Sequence, residues 1–439
     1  MAKIFLCLDP GGSQTKVIYQ FSDWEKPQYL LMKPEVEEIK GDSLTRYLEK
    51  ESSMSNPAPN RQAYLGVNEQ TFVVGHFASK FDPEDRLKEI KYENAIYKVL
   101  AAVGVVAEQN KITKKKISLH LSILLPWDEY GDRRRMHDKL KEYLKKFSFR
   151  GKSYSVKLDK FICRPEGGGL VAIHTKKQGS QWQQDKKLGV LMCGHRNITA
   201  LNFEYGELIG DSPLIGFANF LDDVIERTSG LDRERLALAI FKAIESEESL
   251  KKYKDTKYAK QNFYPYWAEK EAIKALANAK DSELRKKEVK DIYEAIEQAR
   301  KDYWEKVSKW LQRAFSQDLD TVIVSGGASR FLKPSLERYF NCEYRYEWEG
   351  GSYSYKTYVR TGGYTRLDNE KHLTPIVWGA NFTAEITEIL NLEGTEEQND
   401  SLSYRLVDAY GLFDLLIAKN LKKVQKISLE ASQQEAQAS

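Results

Sequence analysis

Between Leu6 and Tyr19 the chain reads Leu-Cys-Leu-Asp-Pro-Gly-Gly-Ser-Gln-Thr-Lys-Val-Ile-Tyr. The pattern is an apolar strand, a turn of two glycines and two hydroxyls, and a second strand. Gly11 and Gly12 let backbone N–H groups curl around an anion with no Cβ in the way. Ser13, Thr15 and Lys16 add hydroxyls and a point charge suited to phosphate oxygens. Asp9, at the end of the first strand, is placed to hold a hydrated divalent cation beside those oxygens. Strand character resumes at Lys16, so this is not the Gly-x-x-x-x-Gly-Lys-[Ser/Thr] loop that opens a helix. A plain Gly-Gly hairpin would have the same local pattern.

Three later segments have similar chemistry. Cys163-Arg164-Pro165-Glu166-Gly167-Gly168-Gly169 ends a strand in an acidic, glycine-rich turn before a helix. A carboxylate there is favoured by the helix N-terminus in any case. Met192-Cys193-Gly194-His195-Arg196-Asn197-Ile198-Thr199 is another strand–turn–strand; Arg196 either neutralises phosphate charge or, with His195, is loop surface. Val322-Ile323-Val324-Ser325-Gly326-Gly327-Ala328-Ser329 is a strand delivering a glycine pair to a helix.

In this order the motifs resemble the phosphate and adenosine loops of the actin, sugar-kinase and heat-shock ATPase superfamily. The chain looks most like the ParM-type plasmid-segregation actins. Tyr64–Asn68 with Val73–Ala78, the Leu124-Leu125-Pro126-Trp127 strand end, and Leu373–Glu385 as a closing helix resemble the same group. The likeness covers roughly residues 3 to 390. It implies an α/β, actin-like (ribonuclease H-like) duplicated fold, with two domains around a nucleotide cleft. The cofactors it implies are ATP and Mg2+, the ion held through water by Asp9. Gly11, Gly12, Ser13, Thr15 and Lys16 would bind phosphate, as would Gly194, His195, Arg196 and Asn197. Ser325, Gly326, Gly327 and Ala328 would seat the adenosine, and Glu166 would position the attacking water. One departure stands out: Met192 occupies the place of an Asp in the family pattern.

The elements that must position these residues can be read from periodicity. Strands are expected at Lys3–Leu8, Lys16–Phe21, Ala63–Gly66, Phe72–Gly75 and Ile117–Leu125, with helices over Arg86–Gln109 and Arg133–Phe147. Lys176–Lys187 is polar and reads as a linker. Strands follow at Leu188–Cys193, Asn197–Tyr205 and Glu207–Ile209, then a helical stretch, Gly216–Phe315, whose charged residues past Leu284 read as a solvated face. After the strand Thr321–Ser325 and a helix over Ser329–Phe340 comes a hairpin. Its alternating Tyr344, Tyr346 and Trp348 share one face, either an assembly contact or a face packed on its own domain. Thr374-Pro375 reads as a helix start, N-cap then first position. A last helix is expected at about Ser403–Leu421, with Glu430–Ser439 disordered. The expected domains are 1–185 with 373–395 returning to it, 186–372, and a C-terminal segment, 396–439.

Composition narrows the classes. With 41% hydrophobic and 30% charged residues, 439 residues suffice for two or three globular domains. A net charge of +4 demands no direct nucleic-acid partner. Four scattered cysteines and six histidines have no metal-ligand spacing, and free buried thiols suit a reducing compartment. Asp9 breaks the N-terminal apolar run too early for a signal peptide, and the run Val99–Ala107 is too short to span a membrane. A cytoplasmic location follows as the expectation. The resemblance implies a head-to-tail homopolymer with slow ATP hydrolysis and a small DNA-binding adaptor, serving plasmid segregation or cell shape. A small-molecule kinase is the alternative on the same fold, though no sugar-binding set is evident. A chaperone ATPase would need a further β-domain after Gly394.

Overall fold

The computed structural model describes all residues except 1, 52–56, 82–89, 113–115, 180–185, 206, 229, 245–270, 317–318, 341–342, 350–351, 362–363, 368–373 and 439. The chain divides into two compact units. The first comprises Met1–Asp185, Gly210–Ser212 and Trp378–Ser439, the second Lys186–Ile209 and Pro213–Val377.

The first unit opens with β1 (Ala2–Pro10), β2 (Thr15–Phe21), β3 (Gln28–Met32), β4 (Val36–Ile39), α1 (Gly41–Glu51), β5 (Ala63–Val67) and β6 (Gln70–Val74). It continues with α2 (Lys91–Gln109), β7 (Lys116–Leu125), α3 (Arg133–Tyr143), β8 (Phe147–Phe149), β9 (Lys152–Pro165) and α4 (Gly168–Gln178). Its sheet runs β3-β2-β1-β7-β9-β8-β5-β6-β4. β1 is antiparallel to β2 and parallel to β7, which is parallel to β9. Leu6, Cys7 and Leu8 are all fully buried, so β1 is covered on both faces and reads as a continuous apolar run rather than an alternation. Ala95, Val99 and Val103 of α2 join the same core.

The second unit contains β10 (Leu188–Cys193), β11 (Ile198–Glu204), β12 (Glu207–Asp211) up to Ile209, α5 (Phe217–Glu226), α6 (Arg233–Ala243), α7 (Glu271–Lys274) and α8 (Ser282–Ala314). Then come β13 (Thr321–Ser325), α9 (Ser329–Phe340), β14 (Glu343–Glu349), β15 (Ser352–Thr361), β16 (Tyr364–Leu367) and β17 (Ile376–Trp378). Its main sheet runs β12-β11-β10-β13-β17. β10 is antiparallel to β11 and parallel to β13, as β1 is to β2 and β7. Each unit thus has a three-strand meander whose first strand pairs with a parallel crossover strand. This is the architectural duplication expected from the sequence. In α8, Ile292, Ile296, Tyr303, Val307 and Leu311 are buried on one stripe beneath the charged face. The tyrosine hairpin forms, with Tyr346 opposite Tyr355; its Gly350-Gly351 turn lies outside the described residues.

The chain returns to the first unit through α10 (Thr383–Ile389) and α11 (Glu396–Ala438). Several boundaries differ from the sequence reading. No helix starts at Thr374-Pro375. The Pro375 carbonyl accepts the Val322 N–H at 3.0 Å and the β-branched residues after it continue as β17, so sheet pairing overrides the cap signal. The expected linker from Lys176 begins as the last turn of α4, where Lys176 pairs with Asp414 at 2.9 Å; residues 180–185 of it lie outside the described ones. α11 belongs to the first unit and continues as helix to Ala438, across the tail expected to lack order. Also outside the described residues are the expected helix start at Arg86, the helical stretch over 245–270, Leu373 and Cys342. Cys7, Cys163 and Cys193 are free and buried. Among the described residues no helix is long and apolar enough to cross a membrane.

Candidate phosphate and hydrolysis site

The antiparallel register of β1 and β2 sets Asp9 opposite Lys16 and Pro10 opposite Thr15. Neighbouring positions on paired strands put the two charges in contact, and Lys16 Nζ lies 2.5 Å from Asp9 Oδ2. Both are largely buried. Burial pushes the Asp9 carboxyl up, but the ammonium groups of Lys16, Lys91 and Lys98 outweigh it and hold the carboxyl below its usual value. At the turn, a Cβ on Gly11 would fall 2.6 Å from the Gln14 carbonyl oxygen, so closure of the turn itself excludes a side chain. Ser13 is exposed. Among the described residues, the buried Gln14 Oε1 and Thr15 Oγ1 have no hydrogen-bond partner. Buried polar atoms are seldom left so, and these two leave capacity for a polar ligand.

Glu166 follows β9 directly, its N–H donating to the Leu125 carbonyl at the end of β7 at 2.8 Å. Its carboxylate makes an ion pair with Lys91 at the start of α2, both side chains being buried. Gly167 then takes a left-handed conformation (φ 93°) and α4 begins.

The orphan N–H groups of that helix start are met by Asp408 of α11. Its Oδ2 accepts from Gly167 at 2.7 Å, and its Oδ1 from Gly169 at 2.8 Å and Leu170 at 3.1 Å. Burial pushes the Asp408 carboxyl up to about 7, with nearby Asp9 and Glu166 adding to the rise against those hydrogen bonds. One turn earlier on α11, burial lowers the Arg405 guanidinium from its ordinary value while the charge of Asp9 opposes the shift.

The site therefore gathers Asp9, Lys16 and Glu166, all legible in the sequence, with Lys91, Lys98, Arg405 and Asp408, which were not. Two of the missed residues had a signal, a charge within an apolar helical stretch: Lys98 before Val99-Leu100-Ala101-Ala102, and Asp408 in Leu406-Val407-Asp408-Ala409. The magnesium ion implied by the sequence resemblance would find one carboxylate, Asp9, of which Lys16 engages only Oδ2. Among the described residues there is no cluster of three metal-ligating side chains. One carboxylate with waters and phosphate oxygens is a donor set magnesium accepts, so the residues fit an ion held through water.

In the second unit, Gly194 to Asn197 form a tight turn, with the Gly194 N–H donating to the Asn197 carbonyl at 3.0 Å. The turn's carbonyls meet the start of α5: Phe217 N–H donates to Gly194 at 3.1 Å, Ala218 to His195 at 2.8 Å and Gly216 to Arg196 at 3.1 Å. Asn197 is buried and donates to Thr199 Oγ1 at 3.0 Å. The glycine pair after β13 sits beside this turn, because the Ala328 N–H donates to the Cys193 carbonyl at 3.1 Å. Its two glycines differ. Gly326 has φ +94° and a Cβ there would be 2.5 Å from the Cys193 carbonyl oxygen, whereas a Cβ on Gly327 would meet nothing within 4 Å. Ser325 and Ala328 are buried. Met192 pairs with Thr199 and Ser325.

No protein-family model matches the chain, and no curated protein sequence matches it. Solved structures do. The actin-like protein Alp7A is 14% identical with a TM-score of 0.49, the match covering 98% of this chain and 99% of that one. Bacillus thuringiensis ParM with ATP is 11% identical with a TM-score of 0.48, over 95% and 99%. The Alp12 filament structure is 12% identical with a TM-score of 0.46, over 96% and 100%. In each unit a meander's first strand pairs with a parallel crossover strand, so the chain has a duplicated α/β fold, and the solved structures it resembles include bacterial and archaeal actin homologues.

Proposed function

We propose that the chain is an ATP-binding actin-like protein that assembles head to tail into filaments and hydrolyses ATP slowly, in plasmid segregation or a cell-shape cytoskeleton. The observation that carries this reading is the gathering of buried charges from distant segments: Asp9, Lys16, Lys91, Glu166 and Asp408. Ionisable groups are costly to bury, and clusters of them beside a turn with unfilled hydrogen-bonding capacity mark sites of charged ligands.

Lys16 and the N–H groups of the Gly11–Thr15 turn would meet the phosphates. Glu166 would orient or deprotonate the attacking water, a contribution of about 10²–10⁴ in rate. Magnesium, when held through water by Asp9, would supply charge neutralisation on the phosphates. The turn at Gly194, His195, Arg196 and Asn197 would supply further phosphate contacts. Ser325, Gly326, Gly327 and Ala328 would form the adenosine seat, with the open space at Gly327 available to the nucleotide.

The self-assembly partner is a second copy in a non-closing contact, working in the cytoplasm with a small DNA-binding adaptor in the segregation role. Calorimetry with ATP and Mg2+, paired with negative-stain microscopy with ATP, ADP and no nucleotide, tests the reading. Binding and nucleotide-dependent filaments are expected; a protein that binds no ATP overturns it.

A further inference from the structure

Lys91 is 7% exposed and Glu166 9% exposed, and they form an ion pair between the first turn of α2 and the turn after β9. The helix does not need a lysine there for packing: its core contacts come from Ala95, Ile96, Val99 and the apolar residues beyond. A buried ion pair adds little stability over apolar residues of similar volume, so its presence beside the phosphate turn asks for another use. Lys91 also bears on the turn itself, since its charge acts on Asp9. Among the described residues, the pair acts on Asp9 from β1, which Lys16 from β2, Lys98 from α2 and Arg405 from α11 also reach, and on Asp408 from α11.

We propose that Lys91 is the positioning residue for Glu166: its ammonium holds the carboxylate aimed, and the terminal phosphate of a bound nucleoside triphosphate competes for that ammonium and frees one carboxylate oxygen for water. The proposal rests on the ATP reading above. In the step it serves, a water oxygen bonds to the γ-phosphorus, and the bond from that phosphorus to the bridging oxygen breaks. ADP leaves with the electron pair, and one water proton passes to Glu166. Lys91 takes no part in the proton transfer and acts by position and charge.

The test compares wild type, Lys91→Met, Lys91→Arg and the swap Lys91→Glu/Glu166→Lys. Fluorescent-ATP binding and phosphate release are followed, so that affinity and rate are read separately. Wild type is expected to bind and hydrolyse. Lys91→Met keeps the apolar stem and should still bind the analogue but release phosphate about 10²-fold more slowly. Its affinity for the analogue should change far less than its rate, a split that a merely structural role would not produce. Lys91→Arg should recover most of the lost rate, because it keeps a cation facing the carboxylate.

The swap restores an ion pair but moves the carboxylate, so it should fold and remain inactive. If Lys91→Met does not fold, the swap and Lys91→Arg carry the test. A swap that hydrolyses ATP, or a Lys91→Met rate equal to wild type with binding intact, overturns the proposal. A wild type that binds no ATP removes the reading beneath it, which is a different result from intact binding with an unchanged rate.

Discussion

Asp408 and Gly169 lie 239 residues apart in sequence and touch through both side chain and main chain. The Asp408 carboxylate accepts the Gly169 N–H at 2.8 Å, and a Cβ on Gly169 would fall 1.8 Å from the Asp408 carbonyl oxygen. One turn on, a Cβ on Gly411 would fall 2.0 Å from the Gly169 carbonyl oxygen. Helices α4 and α11 therefore cross backbone to backbone in the first turn of α4, just past Glu166 in sequence.

Either Gly169→Ala or Gly411→Ala forces the two helices apart. Backbone cannot give way as a flexible side chain does, so each substitution should cost about 3 kcal/mol, the upper part of the overpacking range. Urea unfolding measures it. A variant with wild-type stability would mean the helices do not cross in this way.

Asp408 should also give the fold a pH dependence. Its carboxyl is raised in the fold from 3.8 to about 7, so between those values the folded state binds more protons than the unfolded one. The sign follows: this group's contribution is fully present below about pH 4 and is lost as pH rises through about 7. Asp408→Asn, neutral at every pH, lacks the slope. Its stability deficit relative to wild type, measured in urea at pH 5, should narrow by pH 8; a constant gap would contradict the assignment.

Gly326 and Gly327 make a paired prediction. Gly326→Ala meets a left-handed backbone and the Cys193 carbonyl and should destabilise by about 1–3 kcal/mol. Gly327→Val meets no protein atom, so it should melt like wild type and lose ATP affinity by about tenfold or more. Thermal melts and calorimetry separate the two effects. Equal melting temperatures for both variants would show that the glycines do not divide the roles.

The sequence made the strand–turn–strand of Asp9 to Lys16 legible because its cause is local: glycine turns and β-branched runs act within a few residues. The duplicated strand order followed from recurrence of that local pattern. What could not be read was anything set by long-range contact. Asp408 looks like a surface residue of an amphipathic helix until α4 supplies three N–H groups. Lys91 and Lys98 interrupt a helix whose buried side is plain from Val99 to Val106, yet nothing nearby in sequence names their partners. Thr374-Pro375 has the chemistry of a helix cap, and only the pairing of Pro375 with Val322 turns it into sheet. The glycines at 167 to 169 read as a turn before a helix, and nothing near them in sequence shows that Gly169 serves a helix crossing.

Met192 carries the prediction about turnover. It stands at the end of β10, paired with Thr199 and Ser325, where the family pattern that the chain resembles has an aspartate. A thioether is a weak hydrogen-bond acceptor and a poor ligand for a hard cation such as Mg2+. The second unit's turn therefore offers no carboxylate at this position, and in the proposed function Asp9 and Glu166 would supply the acidic groups. ATP binding would rest on backbone donors and Lys16, so it should survive; hydrolysis should be slow and filaments long-lived. Met192→Asp should raise phosphate release about tenfold or more, within the range a well-placed acid–base or metal-holding group provides. It should also shorten filament lifetime in a light-scattering decay after ATP is exhausted. A wild type that already releases phosphate at several per second, or an unchanged rate in a folded Met192→Asp variant, would defeat the argument.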